Sequence, residues 1–277
     1  LGEGLIAINY YFCQSVMTIP FVKYSGTGND FILIDDRTGY FPEHDTKLIQ
    51  SMCDRHFGIG SDGLMLLREH DESDFEMIFF NPDATQSLCG NGSRCSAHFA
   101  KQLGMAGESG IFTTTDGVHE YLISRSDEVE ISMNDVGSVQ TLKGMDFLNT
   151  GSPHLLINKE SLDSINLLKE GRLWRYDDIF TETGGTNVNF IQEVDSDTVR
   201  VRTYERGVES ETLSCGTGVT AVALAKKKSQ NGKHRVTVHT QGGVLSVAFV
   251  RNENGFSEIK LRGPVLKIFE GVYHVGK

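Results

Sequence analysis

Cysteine is scarce in this chain: five residues in 277, at positions 13, 53, 89, 95 and 215. The odd number and wide spacing exclude a secreted disulfide framework and point to a reducing compartment, the cytoplasm. C-x-x-C is absent, and Cys89, Cys95 and His98 have no second ligand pair nearby, so no metal centre is expected. Cys95 reads instead as a small buried residue on a helix. No apolar run approaches the roughly 20 residues a membrane span needs. An excess of positive charge is also missing. The formal net charge is -11, which leaves nucleic acid out as a partner. Residues 1–16 lack the cationic start of a secretory signal, and Met17-Thr18-Ile19-Pro20 reads as a more natural beginning. The stretch 1–16 is therefore expected to be an upstream or added extension. Low-complexity segments and long linkers are absent too.

What remains is a soluble globular composition, 39% hydrophobic and 23% charged, long enough for one large domain or two ordinary ones. Its main internal feature is a repeat. Cys89-Gly90-Asn91-Gly92 returns 126 residues later as Cys215-Gly216-Thr217-Gly218. An Ala follows each Cys by eight positions (Ala97, Ala223) and a Lys by twelve (Lys101, Lys227). Thr114, Gly117 and Val118 fall in step with Thr240, Gly243 and Val244. Two copies of one unit, each presenting a Cys in the same setting, point to a pseudo-symmetric enzyme whose thiols face one substrate.

Short runs rich in β-branched and aromatic residues dominate, separated by Gly, Asp and Asn turns. Examples are Phe31–Ile34, Phe75–Phe80, Val188–Val194, Thr198–Tyr204 and Arg235–Thr240. Helices are expected at 91–103 and 217–228, with weaker signals at 45–56 and 160–170. The halves divide best near 137–145. The expected fold is α+β, with two pseudo-symmetric halves, each a β-barrel-like mixed sheet wrapped around a central helix. The active site lies in the cleft between them. The expected domains are 17–137 with the C-terminal strand 263–277, and 138–262.

Gly at the second and fourth positions of each motif lets backbone approach a ligand closely. A helix N-terminus carries unpaired N–H groups and about half a positive charge, a setting that binds a carboxylate. It also lowers a Cys pKa from about 8.5 toward neutrality. With two such ends opposed, both hold one carboxylate and both sulfurs flank the adjacent carbon. One thiolate removes the α-proton, and the other thiol returns a proton to the opposite face, inverting the carbon. A purely structural role for both Cys would not need Gly on either side of each helix start.

In this setting the chain resembles the diaminopimelate epimerase family. The resemblance runs from Ile19 to about Val275. It rests on Tyr24-Ser25-Gly26-Thr27-Gly28-Asn29-Asp30-Phe31, Gly60-Ser61-Asp62-Gly63, Cys89-Gly90-Asn91-Gly92-Ser93-Arg94-Cys95, Thr186-Asn187-Val188, Tyr204-Glu205-Arg206-Gly207 and Glu211 to Gly218. It implies epimerisation of LL- to meso-diaminopimelate in lysine and peptidoglycan precursor synthesis, without pyridoxal phosphate or any other cofactor, and frequent homodimers. Cys89 and Cys215 are the implied acid–base pair. Backbone N–H groups at Gly90, Asn91, Gly216 and Thr217 are implied to hold the reacting carboxylate, and Glu205 and His154 to meet the reacting ammonium. Asn29, Asn81, Asn187 and Arg206 are implied to hold the distal end. If adjacent Glu205 and Arg206 both reach a ligand, they must lie at a strand end, which Gly207 permits.

Two departures touch the distal end. Ser152 in Gly151-Ser152-Pro153-His154 stands where the family has Asn. The loop Asn81-Pro82-Asp83-Ala84 lacks the family's Gly and is one residue shorter toward Cys89. A same-fold racemase of another amino acid is the alternative they favour. A non-catalytic amino-acid binder or a thiol-redox protein are further readings. The former predicts tolerance of Cys-to-Ser changes, and the latter a working Cys89–Cys215 bridge.

Overall fold

The computed structural model describes residues 17–276 apart from Ser126. The extension expected at 1–16, with Cys13, lies outside the described residues. The first series of elements is β1 (Thr18–Gly26), β2 (Asn29–Asp35), α1 (Thr46–Cys53), β3 (Gly63–Arg68), β4 (Phe75–Phe80), α2 (Gly90–Gln102), β5 (Ser109–Thr114), β6 (Gly117–Arg125) and β7 (Glu128–Ser132). The second is β8 (Gln140–Leu142), β9 (Met145–Asn149), β10 (Pro153–Asn158), α3 (Leu167–Arg175), β11 (Asn187–Glu193), β12 (Thr198–Glu205), β13 (Ser210–Thr212), α4 (Gly216–Lys226), β14 (Gly232–Thr240), β15 (Gly243–Asn252), β16 (Gly255–Pro264) and β17 (Leu266–His274).

The two series share one pairing pattern. From β1 to β7 the contacts run antiparallel, parallel, antiparallel, parallel, antiparallel, antiparallel. The same order recurs through β9, β10, β11, β12, β14, β15 and β16. The turn Thr114–Gly117 closes β5–β6 as Thr240–Gly243 closes β14–β15. Gly117 (φ 128°) and Gly243 (φ 144°) take backbone conformations that L side chains rarely adopt, which accounts for that part of the sequence repeat. Strand β16 also pairs with β7, joining the halves, and β17 pairs with β1. The fold is α+β.

The strands form one 17-stranded sheet, and each half of it wraps one helix. Helix α4 is apolar on all sides, with Val219 to Ala225 buried, as suits a helix enclosed by strands. Its Ala residues keep it thin enough for strands to close around it. Helix α2 is buried from Gly90 to Ala97. One hydrophobic cluster runs from Phe75, Phe112 and Cys95 to Leu224, Val247 and Leu261, spanning both halves.

The helix expected at 160–170 starts only at Leu167. Ser161 and Asn166 hydrogen-bond nearby backbone N–H groups, which holds the preceding stretch out of the helix. The 45–56 helix is shorter, Thr46–Cys53. Asp54 ends it by accepting from the N–H groups of His56 and Phe57.

Candidate active site

Cys89 and Cys215 are the N-caps of the two enclosed helices, and their backbones nearly coincide: φ -130°, ψ 105° and φ -128°, ψ 111°. The helix starts abut. A Cβ on Gly90 would lie 3.9 Å from Gly216 Cα, and a Cβ on Gly216 would lie 3.4 Å from Asn91 N. Leu261 of β16 packs on both glycines, 3.1 and 3.2 Å from those positions. The starts of both helices therefore meet in one small volume, where nothing larger than Gly fits at either N1 position without shifting Leu261.

Both sulfurs sit in low-dielectric surroundings. Burial pushes the Cys89 thiol up to about 12, with the nearby Glu205 carboxylate adding to the rise, while Gly92 N–H (3.4 Å from Sγ), Arg94 and Asn91 N–H oppose it. Burial and then Glu205 raise Cys215 as well, against the Thr217 hydroxyl and Gly218 N–H. This corrects the expectation that the helix ends alone bring the thiols toward neutrality. Desolvation of a buried anion outweighs the dipole here.

Glu205 is the last residue of β12, and Arg206 follows in the turn made by Gly207 (φ 91°), the strand-end placement their shared use of a ligand requires. Glu205 accepts from Thr212 Oγ1 at 2.7 Å. Burial raises its carboxyl to about 7, with Asp62 contributing and a hydrogen bond from Cys215 opposing. His154 is wholly buried on β10, with Nε2 2.9 Å from Thr217 Oγ1 and Nδ1 3.1 Å from Asn189 Nδ2. Burial, and the charge of Arg206, hold it neutral, with a pKa near 3. The imidazole thus stands behind Thr217 rather than open to an approaching ammonium.

The remaining candidates form two groups. On one side Asn91 Nδ2 donates to Asn29 Oδ1 at 2.6 Å, and Asn29 Nδ2 to Asp62 Oδ2 at 2.9 Å. Arg94, fully buried, donates to Asn91 Oδ1, Thr27 Oγ1 and Gly90 O. Its Nε lacks a partner, and no carboxylate among the described residues pairs with it. On the other side Asn187 Nδ2 donates to Ser152 Oγ (2.8 Å) and Pro153 O (2.9 Å), while its Oδ1 accepts from Arg206 N (2.8 Å). Arg206 reaches Thr183 O at 2.8 Å and Ser152 Oγ at 3.4 Å, and forms no ion pair among the described residues. The nearby Glu209 is taken by Arg175.

Asn81 shares no hydrogen bond with either group among the described residues. Its amide closes its own loop on Thr85 and Ser87. Ala84 in that loop has φ 69°, the left-handed conformation a Gly adopts without cost. Arg94, Asp62 and Thr212 belong to the sequence motifs without a role read from them, and Asn189 carries no sequence signal beyond its neighbourhood. Among the described residues no cluster of His, Cys, Asp and Glu is arranged for a metal, and Cys53, Cys89, Cys95 and Cys215 are free thiols.

The family model for diaminopimelate epimerase matches this chain twice, over residues 21–141 and 147–267, the same 126-residue step that separates the two cysteines. The diaminopimelate epimerase of Flavobacterium psychrophilum is 44% identical over 250 residues, covering 90% of this chain and 97% of the relative. That of Aquifex aeolicus is 40% identical, covering 91% and 97%. Among solved structures, a PhzF-family phenazine biosynthesis protein of Bacillus anthracis superposes with a TM-score of 0.75 at 14% identity, covering 94% of this chain and all of the other. A hydroxyproline epimerase of Agrobacterium vitis, bound to trans-4-hydroxy-L-proline, gives 0.70 at 15% identity, covering 92% and 91%. These distant likenesses concern the fold.

Proposed function

This chain belongs to the diaminopimelate epimerase family, whose members are isomerases, and we propose that it interconverts LL- and meso-diaminopimelate with two cysteines and no cofactor. The observation that carries this reading is the mirrored placement of Cys89 and Cys215 as N-caps of two buried, abutting helices. The reacting carboxylate lies on the N–H groups of Gly90, Asn91, Gly216 and Thr217. That places the α-carbon between the sulfurs. One thiolate takes the α-proton, so a C–H bond breaks and an S–H bond forms. The electron pair left on carbon delocalises into the carboxylate, which the converging N–H groups stabilise. The other thiol then gives its proton to the opposite face and becomes the thiolate. The two thiols share one proton and titrate as a pair.

The cation of Arg94, which no carboxylate among the described residues offsets, supports the single negative charge this pair must carry. Glu205, titrating near neutrality, meets the reacting ammonium. Arg206, Asn187, Asn29 and Ser152 hold the distal amino-acid end, with Asn81 at the edge of that end. Arg206 suits its task because a guanidinium grips a carboxylate bidentately and no carboxylate of the described chain competes for it. The domains we assign are 17–137 with 263–277, and 138–262. The activity fits a cytoplasmic enzyme of lysine and peptidoglycan precursor synthesis, acting as a homodimer.

The hydrogen bond from Asn187 to Ser152 favours one second reading, a same-fold racemase of another amino acid, because it ties up groups assigned to the distal end. Chromatographic resolution of stereoisomers after incubation with LL-diaminopimelate, proline, hydroxyproline and glutamate separates the two. Conversion of diaminopimelate alone is expected, and conversion of another amino acid alone overturns the assignment.

A further inference from the structure

Asn189 has no part in the chemistry above, yet its amide is fixed at three points. On β11, wholly buried, it donates from Nδ2 to Leu155 O at 3.2 Å, and only the NH2 end of an amide can donate to a carbonyl. The same nitrogen lies 3.1 Å from His154 Nδ1, and Oδ1 accepts from Thr203 Oγ1 at 3.0 Å. His154 Nδ1 is therefore an acceptor, and a neutral imidazole so held carries its proton on Nε2. Nε2 points at Thr217 Oγ1, 2.9 Å away. That hydroxyl accepts from the ring and keeps its own proton for Cys215 Sγ at 3.5 Å. Every link then donates in one direction, from Thr203 through Asn189, His154 and Thr217 to sulfur. Gly218 makes room for it, since a Cβ there would stand 2.6 Å from Asn189 Oδ1 and 3.2 Å from His154 Cε1.

The other helix start has no such chain. The residue matching Thr217 is Asn91, whose side chain is directed to Asn29 and Ser214. We propose that Asn189 is a positioning residue which, by fixing the tautomer of His154, turns the Thr217 hydroxyl into a donor to Cys215 and so supports the deprotonated form of that thiol alone. The inference deepens the two-thiol reading and rests on it for its place in catalysis.

The test is alkylation of Cys215 by iodoacetamide as a function of pH, read from the peptide mass in the full chain with Cys89→Ser. Glu205 and position 89 also face Cys215, so all variants share that background. Asn189→Asp accepts a proton from Nδ1, leaves Nε2 to accept from Thr217, and turns the hydroxyl away from sulfur. Its alkylation midpoint is expected to rise by about one pH unit, the size of one hydrogen bond to a charged group. Thr217→Val is expected to give the same rise, the double variant no further rise, and Thr217→Ser the original midpoint. Nitrogen-15 NMR of His154 should show protonated Nε2 in the unaltered site and protonated Nδ1 in Asn189→Asp. Unchanged midpoints, or shifts that add in the double variant, overturn the chain; if Asn189→Asp fails to fold, the Thr217 pair decides it. Inactivity of the unmodified protein toward diaminopimelate would sink the epimerase reading and leave these alkylation profiles meaningful.

Discussion

Cys89 and Cys215 share a backbone conformation to within a few degrees, yet their surroundings differ. Cys89 accepts from the Gly92 N–H and lies in the field of Arg94, while Cys215 lies beside Glu205 and the Thr217 hydroxyl. Symmetry of the main chain gives the site two equivalent faces. On the proposed mechanism, the unequal side chains allow the two thiols to hold opposite protonation states, as acid and base must.

Glu205 gives a pH dependence with a definite sign. Its carboxyl titrates near 7 in the folded chain, against an ordinary value of 4.5, with burial as the main cause. The folded state thus binds more protons than the unfolded one between those values, and stability falls as pH rises from about 4.5 to about 7. Glu205→Gln removes this effect. Urea midpoints of the variant and the parent should diverge across that window, the variant gaining relative stability with rising pH. Parallel curves would show that Glu205 is not buried as described.

Arg206→Lys should raise KM for diaminopimelate on the order of tenfold to a hundredfold, with kcat changing less. In its proposed role Arg206 grips the distal end, which does not react, so the grip is the same in ground and transition states. Steady-state kinetics decide this, and a fall in kcat at unchanged KM would place Arg206 at the reacting end instead.

Ala84→Gly should stabilise the protein by about 1 kcal/mol, because Ala84 sits at φ 69° where a Cβ is strained. The thermal unfolding midpoint is expected to rise by a few degrees. A lower midpoint would mean that the loss of chain entropy on ordering Gly exceeds the relief of strain.

The repeat, the two helix starts and the strand-end placement of Glu205 and Arg206 were legible in the sequence because each depends on local rules: Gly at a helix start, Gly at a turn, alternation along a strand. Strands β6, β7 and β16 carry a weaker signal in the sequence. Their outward faces carry Glu, Lys, Arg and Ser, which break up the apolar residues. The helix expected at 160–170 starts late because the competition of Ser161 and Asn166 for backbone N–H groups is decided by local geometry. The raised thiols and the buried run from Asn189 to Cys215 were beyond reach for another reason. Both arise from groups tens of residues apart that only the closed sheet brings together.

Proton NMR of the reduced protein with LL-diaminopimelate in D2O, beside Cys89→Ala and Cys215→Ala, tests the two-thiol account most directly. The α-proton signal is expected to wash out as meso product forms, without pyridoxal phosphate, and either substitution to abolish product formation. Turnover that survives the loss of either cysteine would contradict it.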